Sequence, residues 1–160
     1  MIFLAYLMEK NILILTVGIP GAGKTTWVQS QVKRQPGWVI STDELRKELL
    51  GDVACVSHEQ NEWIHQEAFK RAKKIFQRPV REPTTIVYID ATNITIDGWV
   101  KFKTLRPTIM IAKYFDISPE MAMIRQSMRD RRVSYDVIKA KWDEMQKNKK
   151  LMSHIFDLIV

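Results

Sequence analysis

Short apolar runs alternate along this chain with longer segments in which apolar residues recur every three or four positions. Ile12-Leu13-Ile14-Leu15-Thr16-Val17 is rich in β-branched and aliphatic residues and shows no polar alternation. That pattern predicts a strand buried on both faces of a parallel sheet. Trp38–Ser41, Thr85–Asp90 and Thr108–Phe115 repeat it, and Phe156–Val160 supplies a fifth strand. Helical periodicity fills the intervals. One helix is expected from Thr25 to about Arg34, before Pro36-Gly37 stops it. Another starts with Thr42 as N-cap and has Leu45, Leu49 and Leu50 on its apolar face. Ser57-His58-Glu59-Gln60 is a capping box that opens a helix to about Gln77, with Ile64, Ala68, Ala72, Ile75 and Phe76 inward. Ile96 to Leu105 carries Trp99 and Phe102 at helical spacing, as core residues. Ser118-Pro119-Glu120 starts a helix with Pro at its first position. Ser134 caps a last helix to about Lys150, with Val137, Ile138, Trp142 and Met145 inward. Strands alternating with helices predict an α/β fold around a parallel sheet.

Bulk properties narrow the picture only a little. The chain has 160 residues, enough for one domain with a real core, and residues 1–160 are read as one unit. The net charge of +7 suits a polyanionic partner, although solvated lysines alone account for it equally well. Cys55 is the only cysteine, so no intrachain disulfide can form, and a reducing, cytoplasmic location is expected. His58, His65 and His154 lack metal-ligand spacing and are expected on the surface or in the core. Residues 1–8 (MIFLAYLM) are too short to span a membrane and lack the flanks of a signal peptide, so no membrane partner is expected. They are read either as a tail packed on the domain or as extra residues before a start at Met8. The helix after Ser57 runs from acidic to basic along its length, which the helix dipole and a solvated face explain more simply than a binding surface does.

The candidate chemistry begins after the first strand. Gly18-Ile19-Pro20-Gly21-Ala22-Gly23-Lys24-Thr25-Thr26 contains G-x-x-x-x-G-K-[ST], the phosphate-binding P-loop, between a strand and a helix. Glycines let the backbone curl so that its N–H groups point inward, and the helix dipole adds positive potential. Gly18, Gly21, Ala22, Gly23, Lys24, Thr25 and Thr26 are therefore the candidate ATP cradle. Lys24 is placed to reach the β- and γ-phosphates, and the Thr25 hydroxyl to ligate Mg²⁺.

Three further groups fall at the carboxyl edge of the expected sheet, where ligands bind in open α/β folds. Asp43 and Arg46 are three apart on one side of a first helical turn. They fit a site, and equally an acid on the helix dipole paired with its neighbour. Asp90 ends the third strand, where an acid directly after a buried run is costly without a function. It and Asn93 are candidates to border the acceptor hydroxyl or the metal shell. Arg125, Arg129, Arg131 and Arg132 fall within eight residues. Such a segment is expected as a lid, over 118–134, whose guanidinium groups neutralise phosphate charge.

From Asn11 onward the chain resembles the kinase domain of the 5′-polynucleotide kinase family, within the broader P-loop kinases. The stretches that carry the resemblance are GIPGAGKTTW, Thr42-Asp43-Glu44-Leu45-Arg46, Asp90-Ala91-Thr92-Asn93, and Asp116 followed by Arg125, Arg129 and Val133 to Ile138. It implies a P-loop NTPase three-layer fold with a five-stranded parallel sheet and a helical lid. It also implies ATP-dependent, Mg²⁺-assisted transfer of the γ-phosphate to the 5′-hydroxyl of RNA or DNA ends, an activity of nucleic acid repair. On that resemblance Asp43 is the general base and Arg46 binds an acceptor phosphate. Lys24 and Thr25 are the P-loop pair, and Arg125 and Arg129 are the lid arginines, with Arg129 acting on the transferring group. The same pattern is similar to zeta-toxin-like and small-metabolite phosphotransferases, so a kinase of a metabolite, nucleoside or nucleotide sugar is the alternative. An ATP-binding switch without an acceptor is a third reading. RNA or DNA preference, the donor nucleotide and the oligomeric state are not specified.

Overall fold

A computed structural model describes residues 10–51, 57–79, 83–128 and 133–160. The first strand, β1 (Lys10–Val17), enters the core at Leu13 and stays buried to its end. The P-loop follows and leads into α1 (Lys24–Arg34). β2 (Trp38–Ser41) passes directly into α2 (Thr42–Leu50). Ser41, one residue before the expected Thr42, is the N-cap, and its hydroxyl accepts from the Glu44 N–H. The shift follows from the turn being tight: Thr42 is already helical and buried.

α3 (His58–Phe76) opens on the capping box at Ser57, with both reciprocal hydrogen bonds formed. Its inward stripe is Ile64, Ala68 and Ala72. β3 (Thr84–Asp90), α4 (Ile96–Lys103) and β4 (Ile109–Tyr114) come next. Trp99 and Phe102 of α4 are buried as expected. α5 (Pro119–Gln126), α6 (Tyr135–Lys149), a short α7 (Met152–Ile155) and β5 (Leu158–Ile159) complete the order. α7 was not foreseen, and β5 is shorter than the Phe156–Val160 expected. Phe156 instead packs its ring on Trp99 at 5.5 Å, inside the core, and only Leu158 and Ile159 register against β4.

All five strands are parallel, in the order β2-β3-β1-β4-β5, so helices cover the sheet and the fold is α/β, as expected. β1 lies in the centre, and its carboxyl end meets that of β3 on one side. One buried hydroxyl locks those two ends together. Thr16 Oγ1 donates to the Ala91 carbonyl at 2.9 Å and accepts from the Ala91 N–H at 3.3 Å. The Gly18 N–H donates to the Thr92 carbonyl at 3.0 Å. The loop after β3 is thereby tied to the P-loop.

Candidate active site

Gly21 and Gly23 have φ of +85° and +93°, a backbone region L-residues rarely adopt. A Cβ on Gly21 would sit 2.8 Å from the Ala122 carbonyl oxygen of α5. The glycine therefore serves the curl of the loop and also its close contact with α5. α1 starts at Lys24 with no side-chain cap and no acid in its first turn. Such a bare, positive helix end suits an anion. Lys24 is buried, and its Nζ donates to the Ile19 carbonyl of its own loop at 2.8 Å. The ammonium is held inside the curl, where a phosphate oxygen can take the place of that carbonyl.

Asp90 ends β3 beside this loop and is only 5% exposed. Its carboxylate bonds the Thr25 side chain. Burial raises its pKa above the ordinary carboxylate value, against the Thr25 hydrogen bond and the nearby Lys24 charge. Asp43 and Glu44 push it up further. The Thr25 hydroxyl and a carboxylate at the exit of a P-loop are hard oxygen donors of the kind Mg²⁺ takes, so the residues present fit that ion. Among the described residues no cluster of three or more His, Cys, Asp or Glu forms a metal cage. An ion held largely by substrate phosphates needs no such cage.

A cavity of about 280 Å³ opens between the P-loop and helices α2, α3 and α6. Asp43 and Arg46 line it together with Lys24 and Thr25. Arg46 is buried and donates to Asp43 Oδ1 at 2.5 Å and to Asn61 Oδ1 of α3 at 2.7 Å. The bonds aim the Arg46 fork at both partners. The Asp43 side chain is 61% exposed, in contrast to Asp90.

The sequence did not single out four cavity residues: Asn61, His65, Gln126 and Lys141. His65 was expected on the surface or in the core, yet it faces this space. Burial lowers its pKa, and so do the charges of Arg46, Lys141 and Lys101. Lys141 of α6 is likewise lowered by burial and by Arg46, while Glu144 pulls the other way. A spacing of 76 residues hides the proximity of His65 and Lys141 from any local pattern. Val137, expected inward, is 44% exposed and lines the cavity, because α6 turns that face to the site and buries Ile138 and Met145.

Asn93 lies outside the cavity lining. Its φ is +45°, and its side-chain amide donates to the Thr16 carbonyl at 2.9 Å. It also reaches the Ile89 carbonyl at 3.2 Å. In this conformation its side-chain N–H group holds backbone carbonyls. Arg125 lies over the P-loop and donates to the Ala22 carbonyl at 3.3 Å. Thr26 is exposed at the start of α1. Arg129, Arg131 and Arg132 of the expected lid lie outside the described residues, as do Cys55 and residues 1–8. α5, the described part of that lid, sits on the loop through Ala122 and Gln126.

Residues 13–152 match the protein family described as an AAA domain. No curated protein matches the chain. Among solved structures it is similar to a chain of the Pnkp1/Rnl/Hen1 RNA repair complex, with a TM-score of 0.74 and 22% identity. That match covers 89% of this chain and 46% of the other, so the chain spans less than half the length of that relative. It is also similar to a gluconokinase from Sinorhizobium meliloti, with a TM-score of 0.66 and 12% identity over 96% of this chain and 83% of that one. A shikimate kinase from Bacteroides thetaiotaomicron gives a TM-score of 0.60 and 12% identity, over 92% and 85% of the two chains. Likeness at these identities establishes the fold.

Proposed function

The chain belongs to the AAA domain family and has the fold of P-loop kinases, and from that premise we propose that it is an ATP-dependent polynucleotide 5′-hydroxyl kinase. The observation that carries this reading is the unlike pair of carboxylates on one cavity. Asp90 is buried against Thr25, whereas the Asp43 side chain is exposed and gripped by Arg46. Two acids in opposite environments suit two different jobs. Asp90 and Thr25 face the metal side. Mg²⁺, when bound, neutralises charge on the β- and γ-phosphates.

Asp43 faces the acceptor. It accepts the proton of the 5′-hydroxyl as that oxygen forms its bond to the γ-phosphorus. The bond from phosphorus to the β–γ bridging oxygen breaks, and ADP leaves. Lys24 and the P-loop N–H groups from Gly21 to Thr26 hold the donor phosphates. Arg46 orients Asp43 and binds the acceptor's neighbouring phosphate. Arg125 neutralises charge over the loop, and Arg129 is assigned to the transferring group from the sequence alone.

The resemblance to a chain of an RNA repair complex and the net charge of +7 favour a nucleic-acid acceptor. The gluconokinase and shikimate kinase likenesses favour a second reading, a small-molecule kinase, because they cover most of both chains. An acceptor panel separates the two. Gluconate, shikimate, nucleosides and 5′-hydroxyl oligonucleotides are offered with ATP and Mg²⁺. ADP release driven by the oligonucleotide alone supports the proposal, and release driven by a sugar acid or nucleoside alone overturns it.

A further inference from the structure

The acceptor half of the cavity holds more positive charge than the Asp43–Arg46 pair accounts for. Lys141 comes from α6 and His65 from α3, and both feel the Arg46 charge. Asn61 and His65 are four apart on one face of α3, and Asn61 accepts from Arg46. Among the described residues Lys141 makes no ion pair or hydrogen bond. Its one acidic neighbour, Glu144, lies three residues along α6, and Lys101 of α4 adds another positive charge near His65. Gathering like charges in a half-buried space is unfavourable unless an anion joins them. Lys24 and Thr25, in the same lining, are taken by the donor phosphates, so a second anion has its place by Arg46, His65 and Lys141.

We propose that Lys141 and His65 form, beside Arg46, an anion subsite that selects acceptors carrying a phosphodiester next to the accepting nucleoside. The inference rests on the kinase reading of the cavity and adds two positioning residues to it. A flexible ammonium and an imidazole can each donate one hydrogen bond to a non-bridging phosphate oxygen. Neither group takes part in the transfer itself.

The probe is the dinucleotide UpU, compared with its neutral methylphosphonate analogue. Both are titrated into protein saturated with ADP and Mg²⁺. The charged dinucleotide should bind about 10- to 100-fold more tightly, the size expected of a charge-assisted hydrogen bond. Lys141→Met should remove most of that preference with ADP affinity unchanged, and Lys141→Arg should restore it. The preference should also grow as pH falls from 8 to 5.5, because phosphate favours the imidazolium of His65, and His65→Gln should flatten that rise. Equal affinity for the two dinucleotides, or an undiminished preference in Lys141→Met, overturns the subsite. A parallel transfer assay keeps the two claims apart. If the unaltered protein phosphorylates UpU and Lys141→Met keeps its acceptor KM, the subsite falls and the kinase reading stands. If UpU accepts no phosphate, the kinase reading falls, and the titration alone decides the subsite.

Discussion

Asp43 and Asp90 share one cavity and little else. The first has a side chain 61% exposed, and the second is 5% exposed and bonded to Thr25. The Asp43 charge also helps to raise the pKa of Asp90. Two positions of one residue type are therefore chemically distinct, and substituting them should give different failures.

Asp43→Asn keeps the shape of the acceptor side and removes the proton acceptor. Turnover should fall by about 10²- to 10⁴-fold, the usual contribution of a general base. ATP affinity should change less than about threefold, since the P-loop is untouched. Asp90→Asn should instead raise the Mg²⁺ concentration needed for half-maximal rate. Steady-state kinetics with varied Mg²⁺, together with direct ATP titration, distinguish the two. A loss of ATP binding in Asp43→Asn would remove it from the acceptor side.

The same burial makes Asp90 a stability cost. Its pKa is raised mainly by desolvation, so the folded protein holds this proton more tightly than the unfolded chain does. Its contribution is therefore most favourable when protonated, and stability declines as pH rises from about the ordinary value of 3.8 through the raised pKa. Asp90→Asn lacks that decline. The variant should melt higher than the parent at pH 7 without nucleotide, by about 2–4 °C per kcal/mol regained, and the gap should close in acid. Melting curves against pH read this difference. A variant that melts lower at pH 7 would show that the carboxylate is net stabilising.

Gly21→Ala tests the seam between the P-loop and α5. The position has φ of +85°, and an added Cβ would meet the Ala122 carbonyl oxygen at 2.8 Å. The strain and the displaced helix should cost about 1–3 kcal/mol of stability. ATP affinity should fall with it. Chemical denaturation and nucleotide titration measure the two effects. A variant with both unchanged would show that the loop does not need this contact.

Trp99 carries the loop after β3. It is fully buried, packs on Phe156 and donates through Nε1 to the Asn93 carbonyl at 2.5 Å. Trp99→Phe should cost about 1–3 kcal/mol for the orphaned carbonyl and lost volume, and Trp99→Ala about 3–5 kcal/mol. Urea unfolding of both variants gives the comparison. Equal losses would assign the effect to the hydrogen bond that both variants lack, and not to packing.

The strands that build the sheet were legible because each is a continuous apolar run, and the P-loop because its glycines fall between a strand and a helix. Asp43, Arg46 and Asp90 were legible as cavity residues because Asp90 ends β3 and the helix with Asp43 and Arg46 follows β2 at once. His65 and Lys141 were not. Each lies on a long helix whose local pattern records only its own buried stripe, and only the tertiary fold brings them to one cavity. Asn93 follows a strand end as well. Its position after β3 is that of a ligand residue, but a positive φ turns its amide onto the Thr16 carbonyl. β5 was overlong because Phe156 is as apolar as a strand residue and is used instead against Trp99.

Transfer to a polynucleotide 5′ end is read directly by following label from γ-labelled ATP onto RNA and DNA oligonucleotides. Each is offered with a 5′-hydroxyl and, as a control, with a 5′-phosphate. Label should appear on the 5′-hydroxyl strands alone and be lost in Asp43→Asn. No label on any strand, with ATP still bound, would rule out a polynucleotide 5′-hydroxyl kinase, and so would equal label on the 5′-phosphorylated controls.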